Sequence, residues 1–133
     1  MRGALALGAL LVAVGSANAE PARQPPSVAI QDCWLPEVKP DIVLLACGDG
    51  TQSFDVARWT RWNRRGARAV GTASINDCEP SCVDGHVHTY RAVLLFDRAR
   101  RCGGRLLFTR MRLVFAERPA RGQPMASVVL CHR

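Results

Sequence analysis

Six cysteines, Cys33, Cys47, Cys78, Cys82, Cys102 and Cys131, constrain this chain more than any other feature. An even set of cysteines in a small exported chain predicts a disulfide framework of up to three bridges. Six cysteines allow 15 pairings, and spacing alone does not choose among them. Each bridge is worth about 2–4 kcal/mol, mainly by restricting the unfolded chain. Against a total domain stability of about 5–15 kcal/mol, that is a large share.

The export that makes this reading work is itself predicted from the first residues, MRGALALGALLVAVGSANA. Arg2 and the amino terminus supply a short positive region, and residues 4–14 are apolar apart from Gly8. Ala17-Asn18-Ala19 then matches the small-x-small pattern that signal peptidase accepts. The apolar run is shorter than the roughly 20 residues needed to span a bilayer. No cysteine stands at the cleavage point to carry a lipid, and no later run is long enough for a transmembrane anchor. Residues 1–19 are therefore expected to be a cleaved signal peptide. The mature protein is expected to be secreted, either free outside the cell or associated with its wall. Residues 20–30 open with EPARQPPS, proline-rich and polar, and predict a flexible leader. Residues 31–133 remain as a single disulfide-bonded β domain of a size that suits one core.

Within that domain, short apolar or alternating runs are separated by turn formers. Residues 42–47 (IVLLAC) read as a buried strand ended by Gly48-Asp49-Gly50. In residues 53–62 the apolar positions Phe54, Val56, Trp59 and Trp62 change spacing from two to three, which predicts a bulge or a change of period between Val56 and Trp59. Ala67, Ala69, Gly71, Ala73 and Ile75 share one face of the next strand. Residues 76–85 (NDCEPSCVDG) are a loop. Residues 86–97 and 105–117 read as two long strands around the charged turn RARRCGG (98–104). Over 105–117 a strand is favoured over a helix by the alternation and the flanking glycines and prolines. In the second, Leu107, Thr109, Met111, Leu113 and Phe115 are assigned to one face, and Phe108, Arg110, Arg112 and Val114 to the other. Residues 128–131 (VVLC) close the chain as a last strand. The expected fold is all-β: a small disulfide-stapled sandwich or barrel of about six to seven strands.

The order LACGDG (45–50), WTRW (59–62), GTASINDC (71–78), PSC (80–82) and DGHVHTY (84–90) resembles a family of small exported actinobacterial proteins. That family carries a strand ending in Cys-x-Asp, a Trp-x-x-Trp pair and a loop Asn-Asp-Cys-x-Pro-x-Cys-x-x-Gly. The resemblance covers about residues 42–115 and implies that Cys47, Cys78 and Cys82 are the shared cysteines. Cys33, Cys102 and Cys131 would be additions in this chain.

Two constellations merit a chemical reading. Cys78, Cys82, His86 and His88 bring two thiols and two imidazoles into eleven residues, a donor set suited to zinc or copper. An oxidising compartment favours a cystine there over thiolate ligands, which leaves His86 and His88 as weak metal candidates and no cofactor expected. The second is Arg58, Trp59, Arg61, Trp62, Arg64 and Arg65, with Arg68 close by, an interleaving able to stack on and neutralise an anionic ligand. The plainer reading buries a tryptophan and leaves the arginines on a solvated edge that resists strand addition.

The formal charge of +7 falls to +6 once Arg2 is removed, and Lys39 is the only lysine. A basic exported protein is drawn to anionic partners such as wall polymers. No nucleophile elbow, metalloprotease motif, phosphate loop or dinucleotide fingerprint is present, so no catalytic residue is assigned and no enzyme is expected. The leading expectation is a secreted, non-enzymatic binding or surface-associated module. Its partner would be an anionic wall polymer or another extracellular protein rather than a specific nucleic acid. One alternative is a secreted protease inhibitor using Cys78-Glu79-Pro80-Ser81-Cys82 or Arg100-Arg101-Cys102. The other is an exported metal-binding protein built on the Cys/His cluster.

Overall fold

The computed structural model describes residues 27–33, 35–48, 51–117 and 126–128. Regular structure among them is entirely β: β1 (Ile30–Gln31), β2 (Pro36–Glu37), β3 (Ile42–Leu44), β4 (Gln52–Asn63), β5 (Gly66–Asn76), β6 (Val87–Cys102), β7 (Arg105–Phe115) and β8 (Ala126–Val128). β1 and β2 make a two-residue ribbon, and the other six form one antiparallel meander in chain order. The meander curls into a half-barrel rather than closing. No ladder joins β3 to β8 among the described residues. The chain is thus all-β and disulfide-stapled.

The curl follows from which residues face inward. Trp62, Ala67, Phe96 and Met111 lie in one row across β4 to β7, and Trp59, Ala69, Leu94 and Leu113 in the next. In each row the central strand β5 contributes the small residue. Large side chains on β4 and β6 therefore close over Ala67, Ala69 and Ala73, all fully buried. Small-against-large alternation of this kind fills a tapered interior without voids. The irregularity expected between Val56 and Trp59 is a bulge between Val56 and Arg58, and a second shift lies between Trp59 and Arg61. Together they keep Phe54, Val56, Trp59 and Trp62 on the inner face, although their spacing is not a uniform two.

The open side of the half-barrel is covered by the chain that precedes β3. Val28, Ala29 and Ile30 are 2 %, 6 % and 1 % exposed, so the leader expected over residues 20–30 ends sooner and the domain begins before residue 31. Ala29 bridges Leu107 through backbone bonds from its own N–H to the Leu106 carbonyl and from the Phe108 N–H to its carbonyl. Two tryptophans fasten this cover. The Trp62 indole N–H donates to the Val28 carbonyl at 3.0 Å, and that of Trp59 to the Pro40 carbonyl at 3.0 Å. The Cys33–Cys47 disulfide joins the β1–β2 ribbon to the end of β3.

Two assignments need correction: the charged run expected as a turn over 98–104 is strand as far as Cys102, and one side chain of β7 faces the other way. Phe108, expected on the outer face with Arg110, lies in the core against Trp62 and Phe96. The cause is a kink shared by β6 and β7. Arg98 adopts a left-handed conformation (φ 56°), and the Thr109 hydroxyl donates to its carbonyl at 2.8 Å. Phe96 and Met111 face the core before the kink, Ala99 and Phe108 after it. The tight turn beyond is Gly103-Gly104, both at positive φ, as a two-residue hairpin of this hand requires.

Residues 1–26, with the expected signal peptide and most of the leader, lie outside the described residues, as do Asp49, Gly50 and Cys131. The last expected strand, 128–131, falls mostly there too, and β8 ends at Val128.

Candidate functional site

The loop between β5 and β6 is organised around Asn76 and Asp77, which close it with side-chain hydrogen bonds. The Asn76 amide donates to the Cys82 carbonyl at 2.9 Å, and its oxygen accepts from the Cys78 N–H at 2.9 Å. One oxygen of Asp77 accepts from the N–H groups of Glu79 and His86 at 3.2 and 2.8 Å. The other lies 2.9 Å from His88 Nε2 and 4.0 Å from His86 Nδ1. The bond with His88, then the two backbone N–H groups, hold the Asp77 carboxyl well below the usual carboxylate range. Gly85 is required here, since a Cβ would collide with the Asn76 side-chain oxygen.

Cys78 and Cys82 are joined in a disulfide with their Cα atoms 3.8 Å apart. In this form they offer no thiolate to a metal, and among the described residues no group of three or more histidines, cysteines or acidic residues is arranged to hold an ion. His86 and His88 do sit together, both turned toward Asp77 rather than toward each other's ligand set. The segment Arg100-Arg101-Cys102 lies within the ladder, opposite Leu107, Leu106 and Arg105. Cys102 is disulfide-bonded, and none of the described cysteines is free.

The Trp/Arg cluster is divided by the sheet. Trp59 and Trp62 turn inward, half-buried and edge-to-face with centroids 4.6 Å apart, so their faces and N–H groups are spent inside the protein. Arg58 and Arg61 oppose Val70 and Arg68 and turn outward, exposed. Arg64 and Arg65 stand at the β4–β5 turn, which the Asn63 side chain organises by accepting from the Arg65 N–H at 2.9 Å.

The outer face collects further arginines that are distant in sequence. Arg61, Arg68, Leu95 and Arg112 occupy one row across β4, β5, β6 and β7. Arg58, Val70, Val93 and Val114 occupy the neighbouring row. Asp97 and Arg110 are paired on the other side of the arginine row. Arg110 forks onto both Asp97 oxygens at 2.6 Å, and Arg112 reaches one of them at 3.4 Å. The Arg110 hydrogen bonds, assisted by the charges of Arg110, Arg112 and Arg98, lower the Asp97 carboxyl below its ordinary value. Arg68 donates to the Thr60 hydroxyl at 3.1 Å. Among the described residues, Arg58, Arg61 and Arg68 meet no carboxylate.

The sequence named Arg58 and Arg61 but did not join them to Arg112. Their common face appears only once the register of three successive hairpins is known. Asp77 carries no signal in the sequence beyond its place between Asn76 and Cys78. Among the described residues no helix is long and apolar enough to cross a membrane. No family model, curated protein or solved structure matches this chain.

Proposed function

We propose that the protein is an exported, non-enzymatic binding module that attaches to an anionic partner outside the cytoplasm. The observation that carries this reading is the gathering of Arg58, Arg61, Arg68 and Arg112 onto one outer face, flanked by the carboxylates of Asp97 and Asp55. Exposed guanidiniums without carboxylate partners add little to the stability of the fold. They do raise the local concentration of anions. The paired cysteines agree with an oxidising compartment, as does the resemblance to small exported proteins. The inner side of the same sheet is filled by the core, so the outer face and the loops are what the scaffold offers a partner.

The reading is tested by passing the purified mature chain over matched beads bearing anionic or neutral polymer. Retention on the anionic beads alone, released as salt rises and screening shortens the reach of the charges, is the expected result. Equal retention on both supports at low salt would refute it.

A further inference from the structure

We infer that the ligand is an acidic polysaccharide, bound across the strands on the row Arg61–Arg68–Leu95–Arg112 with its sugar faces on the adjoining row Val70–Val93–Val114. This inference rests on the anion-binding reading above and names the class and direction of the ligand. Neighbouring strands lie about 4.8 Å apart, so the arginine row crosses three spacings, about 14 Å, from β4 to β7. That is the length of a few linked sugars, not of a single small anion.

Two features favour a ligand on this row. Arg61 and Arg68 stand directly opposite each other, a like-charge cross-strand pair that weakens a sheet unless something neutralises it. A chain of carboxylates laid over the row would do so, with guanidinium forks suited to carboxylate oxygens. Beside it, Val114 is 48 % exposed, and Val70 and Val93 are half-buried. An apolar strip next to a charged one matches a sugar ring, with its C–H face and its carboxylate, better than it matches a bare phosphate chain, which has no apolar side.

The test measures binding of polygalacturonate fragments and of polyphosphate to the mature, oxidised chain at fixed low salt. Three proteins are compared: the native chain, the row variant Arg61→Gln/Arg68→Gln/Arg112→Gln, and a control losing the same charge at the far end of the β6–β7 hairpin, Arg100→Gln/Arg101→Gln/Arg105→Gln. Thermal unfolding checks that each is folded. The row variant should bind polygalacturonate at least ~10-fold more weakly, and the control within about 2-fold of the native chain. Val114→Ser, which removes apolar surface without changing charge, should weaken polygalacturonate by several-fold and polyphosphate much less. Equal losses in row and control variants would overturn the row while leaving the anion-binding reading standing. Polyphosphate bound through the same row in preference to polygalacturonate would overturn the polysaccharide. Binding of neither polymer by the native chain would overturn both the inference and the reading beneath it.

Discussion

Trp62 joins three parts of the molecule through one side chain. Its ring meets Trp59 and Phe108 edge-on, and its N–H donates to the Val28 carbonyl, so β4, β7 and the cover over the half-barrel share a single residue. Trp62→Phe keeps most of the apolar contact but leaves a largely buried carbonyl without its donor. The expected cost is about 1–3 kcal/mol, read as a lower denaturant midpoint at unchanged slope. A sequence reader has good reason to see Trp59 and Trp62 as a stacking surface, because they alternate with arginines. What the sequence does not display is that two bulges phase the strand, so that indoles and guanidiniums part to opposite faces. The bulge after Val56 is visible in the spacing of apolar residues. The second hides in Trp59–Trp62, a spacing that looks like a simple continuation.

The β6–β7 hairpin shows why some of an element is legible and some is not. Its glycine pair and the inward positions Leu94, Phe96, Met111 and Leu113 follow from alternation and turn chemistry. Its length does not, since the charged run after Asp97 reads as turn and is strand as far as Cys102. The inversion at Arg98 does not, because an alternating pattern continues on paper through Leu107 and Thr109 with no change of residue type. Only the left-handed backbone at Arg98, received by the Thr109 hydroxyl, brings Phe108 into the core as well, while Leu107 stays buried beside Ala29. The left-handed conformation is most unfavourable for β-branched residues, so Arg98→Val should destabilise by about 1–2 kcal/mol and Arg98→Asn by far less. Equal unfolding midpoints for the two variants would show that the kink does not depend on the residue at 98. The outer arginine row has the same origin. Each of its members is visible in the sequence, but their alignment is a property of three hairpin registers taken together.

For the molecule as a whole, excess positive charge makes its few carboxylates matter more than their number suggests. Asp77 ties the β5–β6 loop to the start of β6, and Asp97 sits among Arg98, Arg110 and Arg112 on the outer face. Both are held below the ordinary value of 3.8, Asp77 chiefly by its bond with His88 and Asp97 chiefly by its bonds from Arg110. A carboxylate whose folded pKa is depressed binds protons more readily when unfolded. Its stabilising contribution is therefore complete above about pH 4 and is lost as pH falls below that toward the folded value. Protonating these groups also removes negative charge from a chain already at +7, which adds self-repulsion in the same direction. The thermal midpoint should accordingly hold steady through the weakly acidic range and fall steeply below pH 4. Asp77→Asn and Asp97→Asn should each lower the midpoint at neutral pH and flatten that fall, because the group that titrates is gone. A slope below pH 4 as steep in both variants as in the native chain would show that the acid sensitivity arises elsewhere, from carboxylates the fold does not hold.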